Sequence, residues 1–342
     1  MKFWAITFLT FMTYLGTAPV EAMPQGMSEE VKVKKLSASK RLMIPNLEKL
    51  QKKERSSERR MVMDWCQNLR REMKKFGWKL DPCRLKNARV GGLSVKGKPL
   101  VYFDLGDPKA ENTTLILSMI HSDEITPLYV GIKTIFWISK RIKAIPNTRL
   151  IIAPLVNPDG FYLDKPTRTN ARGVDLNRNF HTSDFKENAI KIWKHRYGGI
   201  KRRFPGEEPH SEPETLFQRH LIFKFRPSKI LSIHAPLNFM DYDGPNVLSL
   251  KRFPKEYVKE CLKLRSKVDA VSGGFFVGSL GNYAGQERGI PTLTLELPSA
   301  NPRLAEKYWD KFKTGVKGVI QFTVPDYQPD LGKEASSLVL KR

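Results

Sequence analysis

The stretch Leu115–Glu124, LILSMIHSDE, decides how this chain is read. Six apolar or small residues in a row read as a strand buried on both faces. The polar group that follows then lies on the rim of a sheet, where open α/β folds place their ligand sites. His121 and Glu124, three residues apart where strand gives way to helix, can point at one ion. Zinc accepts imidazole nitrogen and carboxylate oxygen, and a catalytic zinc takes three protein ligands and keeps one position open. Taken alone, His-x-x-Glu is also what a capping or surface pair looks like.

Two further segments repeat the arrangement. KILSIHAP closes an apolar run with His234, and TLTLELP sets Glu296 among Leu293, Leu295 and Leu297. In the second, alternation puts Thr292, Thr294 and Glu296 on one face and the leucines on the other. A carboxylate inside such a strand is costly unless a cation or a reaction employs it. Beside a metal it can act as a general base. Between these segments lie Asn157-Pro158-Asp159-Gly160, a turn signature, and GVDLNRNF, preceded by Arg168 and Arg172.

HSDE, NPDG, GVDLNRNF, HSEPET, SIHAP and TLTLELP occur in an order that resembles the zinc metallocarboxypeptidases of the carboxypeptidase A type. Within that superfamily, SIHAPLNFMDYDGP and VGSLGNYAGQERGIPTLTLELP are most similar to the murein peptide amidases. The motifs span residues 121–298, and with flanking strands the resemblance covers about 95–325. It implies a single α/β carboxypeptidase-like domain, with a mixed, mostly parallel twisted sheet and helices on both faces.

Carried over by position, the resemblance makes His121, Glu124 and His234 the ligands of one Zn2+ ion. Glu296 becomes the general base toward a zinc-activated water, and Arg168 the oxyanion holder, preferred over Arg172 on spacing. Asn177 and Arg178 become the grip on a substrate carboxylate, for which a guanidinium fork is well shaped. The position that sets side-chain preference falls at Leu280 and Gly281, neither of which bears charge. The mobile tyrosine of digestive members has no counterpart in VSGGFFVGSL, where only Phe275 and Phe276 occur. Tyr242 and Tyr283 are the stand-ins to weigh against plain packing. In HSEPET, Ser211 and Glu214 are expected to form a capping box, with Pro213 in the first helical turn.

Outside the motifs, residues 1–22 read as a secretory signal peptide: Lys2, an apolar centre, and small residues at Val20 and Ala22. Residues 23–60 are rich in Lys, Glu, Ser and Arg, a composition expected to give a flexible or partly helical basic extension. Met63, Leu69 and Met73 then recur at helical spacing within 61–76, opening a catalytic domain over 61–325. A polar tail, 326–342, follows. Once the leader is removed, no stretch is long and apolar enough to span a bilayer.

The chain has three cysteines. A Cys66–Cys83 disulfide is expected in an exported protein, with Cys261 a buried thiol. No Cys-x-x-Cys occurs, which argues against a thiolate zinc site. Fifty-nine Lys and Arg against 35 Asp and Glu give a net charge of +24. That charge favours nonspecific polyanion contact. The basic residues are spread without a recognition motif, so no specific nucleic-acid partner is expected. The sequence therefore predicts an exported, periplasmic or extracellular zinc peptidase that hydrolyses the γ-D-glutamyl–diaminopimelate bond of murein peptides. The rivals are a zinc carboxypeptidase that trims C-terminal residues and a catalytically silent wall-binding protein.

Overall fold

The computed structural model describes residues 47–243, 255–271 and 276–324. The signal peptide, most of the basic extension before Leu47, Phe275 and the tail lie outside them. The strands are β1 (Ala88–Leu93), β2 (Pro99–Gly106), β3 (Asn112–Ser118), β4 (Thr148–Ala153), β5 (Lys229–His234), β6 (Phe239–Asp243), β7 (Ala270–Val271) and β8 (Thr292–Glu296). The helices are α1 (Leu47–Lys75), α2 (Thr126–Ser139), α3 (Pro158–Phe161), α4 (Phe185–His195), α5 (Pro213–Phe225), α6 (Lys255–Arg265) and α7 (Ala305–Gln321).

The strands form one sheet in the order β1-β2-β4-β3-β5-β8-β6-β7. The run β4-β3-β5-β8 is parallel, as is β6-β7, while β1-β2, β2-β4 and β6-β8 are antiparallel. This is the mixed, mostly parallel sheet expected. Period-two alternation sorts its side chains into two cores. Ile116, Ile152, Ile233 and Leu295 face one side, where α1, α2, α6 and α7 pack. Leu115, Leu117, Ile151 and Ile230 face the other, against α5 and the turn that follows Leu280. From β3 the chain runs to β4 on one side and later returns to β5 on the other. The topological switch point therefore falls between β3 and β5, at their carboxyl ends, where open α/β sheets form a ligand crevice.

Two expectations need correcting. Helix α1 begins at Leu47, within the extension expected to be flexible or partly helical. Its buried face is Trp65, Cys66, Leu69 and Met73, whereas Met63 is 46% exposed. The apolar spacing gave the helix but not its phase: Trp65 and Cys66, rather than Met63, continue the buried stripe. Ser211 and Glu214 form no capping box: the N-cap of α5 is Glu212, with no side-chain cap bond. Ser211 instead donates to Glu212. Glu214 is taken by tertiary donors, the Val95 amide at 3.1 Å and the Asn170 amide at 3.0 Å. Pro213 does open the helix, where its missing N–H costs nothing.

Cys66 and Cys83 are joined, tying α1 to the turn before β1, and Cys261 is a buried thiol. Among the described residues no helix is long and apolar enough to cross a membrane. The bridge closes a loop of sequence separation 17. The chain-entropy argument for a loop of that size puts its contribution at about 3 kcal/mol. Denaturant unfolding with and without reductant should show a stability loss of that order. An unchanged midpoint would mean that α1 is held by packing alone.

Candidate metal centre and catalytic cleft

Each strand at the switch point delivers one polar group to the same spot. His121 and Glu124 follow β3, His234 ends β5, and Glu296 ends β8 directly opposite His234 in the parallel register. The ligand atoms of His121, Glu124 and His234 lie within 4.8 Å of one another, and all three residues are buried. Glu124 bridges the imidazoles: Oε1 lies 2.9 Å from His121 Nδ1, and Oε2 lies 2.9 Å from His234 Nδ1. The Ala235 amide also donates to Oε2. Two imidazoles and one carboxylate converging in a buried site are the donor chemistry of a catalytic zinc. The residues present fit the ion.

The electrostatics are those of a cation site. Burial alone would raise the Glu124 carboxyl, yet the two imidazoles outweigh it and hold the group well below the carboxylate range. For His121, burial and Arg168 push the imidazole down, but Glu124 and Asp175 prevail and its pKa is raised above 6.5.

Both histidines are oriented from behind. Asp175 Oδ1 lies 2.9 Å from His121 Nε2, and Ser232 Oγ lies 2.9 Å from His234 Nε2. An outer partner of this kind fixes ring orientation and tautomer and raises ligand basicity. Neither role was visible in the sequence. Ser232 had a weak signal, since it lies two residues before His234 and so on the same strand face.

Arg168 reaches the centre, donating from Nε to Asp175 at 2.9 Å and from Nη1 to Glu124 at 3.3 Å. Arg172 does not: it is exposed and contacts Ser211 and Glu212. The NPDG turn places Arg168. Asn157 donates its side-chain amide to the Thr169 carbonyl and accepts from the Gly160 amide. A Cβ on Gly160 would stand 2.8 Å from that same Thr169 oxygen.

Asn177 and Arg178 follow on a short 3-10 turn, Leu176–Arg178, whose start is capped by the Asp175 carboxylate. Asn177 Oδ1 accepts from the Leu280 amide at 2.8 Å. Arg178 stacks 4.5 Å over Phe276, donates to the Asn177 carbonyl, and keeps a buried Nε–H with no partner among the described residues. A Cβ on Gly278 would lie 2.1 Å from the Arg178 carbonyl, and its φ is +69°, so only glycine lets this segment approach.

Glu296 is 8% exposed and accepts, at 3.4 Å, from the Leu237 amide. Burial raises its pKa, helped by Glu124 and opposed by His234. Tyr283 is fully buried between Phe180 and His210, and the half-buried Tyr242 packs on the core, so both are packing residues here.

The pocket position at Leu280 and Gly281 is not uncharged, as the sequence suggested. Asp243 of β6 presses against it, and a Cβ on Gly281 would sit 2.2 Å from that carboxylate. Asp243 accepts from Thr294 at 2.8 Å and has no ion-pair partner among the described residues. Burial lifts its pKa to about 6, against the hydrogen bond from Thr294 and the charges of His234 and Arg178. Asp243 comes to the site through the antiparallel pairing of β6 with β8, which sets it opposite Thr292, a contact between segments distant in sequence.

The outer partner gives the centre a direct test. Asp175→Asn should lower zinc affinity about 10- to 100-fold, measured by competition with a chromogenic chelator. Unchanged affinity would mean that Asp175 serves only the loop.

Comparison with known proteins agrees with this geometry. The family model described as zinc carboxypeptidase matches residues 81–263. Murein peptide amidase A of Escherichia coli K12 is 32% identical over 152 residues, 43% of this chain and 58% of that relative, so the chain spans rather more than half of its length. The Vibrio campbellii murein peptide amidase A is 31% identical over 226 residues, 65% of this chain and 84% of the relative. Among solved structures, the murein-tripeptide amidase from Escherichia coli O157 superimposes with a TM-score of 0.50 at 23% identity, covering 70% of this chain and 94% of that one. Carboxypeptidase A from Helicoverpa armigera gives 0.53 at 21% identity, covering 72% and 69%. At such identities the structural likeness speaks to the fold. With the family model covering more than half of the chain and the donor set in place, the chain belongs to the zinc carboxypeptidase family and is a zinc metallopeptidase.

Proposed function

We propose that this metallopeptidase is exported and hydrolyses the γ-D-glutamyl–diaminopimelate bond of murein peptides. One observation carries the reading: among the described residues, an Arg178 Nε–H without a partner and an Asp243 carboxylate without an ion pair lie within each other's electrostatic reach, beside His234. A leaving group that presents both carboxylate and ammonium satisfies both, and diaminopimelate is such a group. The similarity to murein peptide amidases supports the same substrate class. Export rests on the leader-like residues 1–22 and accords with the Cys66–Cys83 bridge.

Zinc, held by His121, Glu124 and His234, supplies Lewis acidity toward the scissile carbonyl and makes water more acidic. Glu296 takes the proton from the attacking water and returns it to the leaving amine, a role suited by its raised pKa. Arg168 swings from Glu124 to the developing oxyanion, keeping Asp175 as its anchor. Preorganised donors at that position are typically the largest catalytic contribution. Asn177 and Arg178 hold the carboxylate next to the scissile bond. The Asp175 oxygens are engaged by His121 and Arg168, which leaves the Arg178 fork available to substrate.

The rival within the class is a carboxypeptidase that trims a C-terminal residue. The intact donor set with Glu296 at its side weighs against a silent wall-binding protein. Mass spectrometry of defined murein tri- and tetrapeptides incubated with the zinc-loaded protein decides among the three. Release of the diaminopimelate-containing half is expected, whereas loss of a terminal alanine alone means a carboxypeptidase, and no cleavage means a binding protein. Glu296→Gln should retain one zinc per chain while turnover falls at least 10²- to 10⁴-fold, the usual range for acid–base help. Near wild-type turnover at zinc saturation would assign the base elsewhere.

A further inference from the structure

Behind Arg178 lies a cavity of about 30 Å³ lined by Arg178, Trp193, Arg196, Tyr197, Arg203 and Phe276, among others. Three guanidiniums line it and, among the described residues, no carboxylate does. Neighbouring arginines are treated differently by the fold: Arg202 pairs with Asp123 at 2.7 Å, and Arg168 with Asp175 and Glu124. Arg178, Arg196 and Arg203 have no ion-pair partner among the described residues. They are held by aromatic faces instead, Arg178 over Phe276 at 4.5 Å, Arg203 over Tyr197 at 4.6 Å and Arg196 over the same ring at 5.7 Å. Stacking fixes each plane and, apart from the contact of Arg178 with the Asn177 carbonyl, leaves the N–H edges without a hydrogen bond among the described residues. Gathering like charges around a cavity whose wall holds no carboxylate opposes folding, and an anion in their midst reduces the repulsion. The space suits one or two oxygens rather than a side chain.

We propose that Arg203 and Arg196 form, with Arg178 as the shared wall, a second anion subsite that takes the distal carboxylate of a leaving group carrying two. The inference rests on the amidase reading for the identity of that group. Diaminopimelate has the second carboxylate, and lysine is the same molecule without it, so the two ligands isolate the contact. In this arrangement the subsite sets the preference for a dicarboxylate product and leaves bond cleavage to the zinc centre.

The test is calorimetric binding of free meso-diaminopimelate and of L-lysine to the zinc-loaded full chain, in wild type, Arg203→Gln and Arg196→Gln. The second variant guards against loss of fold, since Arg196 is exposed. Wild type should prefer diaminopimelate about 10- to 100-fold, the range of a charge-assisted contact. Both substitutions should shrink that ratio by weakening diaminopimelate while lysine affinity stays put. A wild type with no preference, or a ratio that both variants preserve, overturns the subsite. The cleavage assay is separate: a protein that shows the ratio but leaves the γ-D-glutamyl bond intact keeps the subsite and loses the amidase reading. A protein that cuts the bond with an unaltered ratio does the reverse.

Discussion

A single buried carboxylate, Asp175, holds the catalytic cleft together. One oxygen meets His121 and the amide of Asn177, and the other meets Arg168. Burial would raise its pKa, but Arg168 and His121 keep it well below the usual value. A buried charge is tolerable only when paired and fully hydrogen-bonded, so the loop after NPDG cannot relax without exposing that charge to an apolar interior. His121, Arg168 and the turn that carries Asn177 and Arg178 thereby share one anchor. Neutralising it should disturb all three at once, which a contact made to any one of them would not do.

The loop that carries these groups has almost no regular structure, and asparagine side chains take the place of a backbone ladder. Asn157 binds the backbone around Arg168 to the end of β3. Asn170 joins Glu212 and Glu214. The Asn179 Nδ2 lies within hydrogen-bond distance of the Pro205 and Glu208 carbonyls and Ser211 Oγ, with one N–H shared between two of them, and its Oδ1 accepts from the Glu212 amide. Each amide can donate twice and accept twice, so one residue satisfies several backbone groups that a loop would otherwise leave unpaired. The HSEPET segment is thus a brace for the loop, at one remove from the chemistry.

How far the sequence could be read follows from where each residue's partners lie. His121, Glu124, His234 and Glu296 were legible because a polar residue that closes an apolar run in a parallel sheet seldom serves packing alone. The sheet itself was legible from uninterrupted β3 and β5. Partners contributed by distant segments were not. Ser-x-x-Glu satisfied the capping pattern at Ser211 and Glu214, yet Val95 and Asn170, far away in sequence, took the carboxylate. Asp243 reaches the site only through the pairing of β6 with β8, segments distant in sequence. Met63 kept helical spacing but faces solvent, since phase depends on the surface that a helix meets.

At the far end of the sheet from the cleft, Lys229 is fully buried, its ammonium donating to Asn112 and, at 2.6 Å, to the Phe322 carbonyl at the end of α7. Burial lowers its pKa to about 7, against a smaller opposing influence of Cys261, where an ordinary lysine titrates at 10.5. Below about pH 7 both folded and unfolded chains hold the proton, and the cost of burying it is felt in full. Between there and 10.5 the unfolded chain still binds it while the folded chain sheds it, so this position makes the fold more stable as the medium turns alkaline. For a chain whose sequence pI is near 9.9, that window includes the pH at which net charge, and with it overall self-repulsion, passes through its minimum. Local and global electrostatics therefore reward the same mildly basic surroundings.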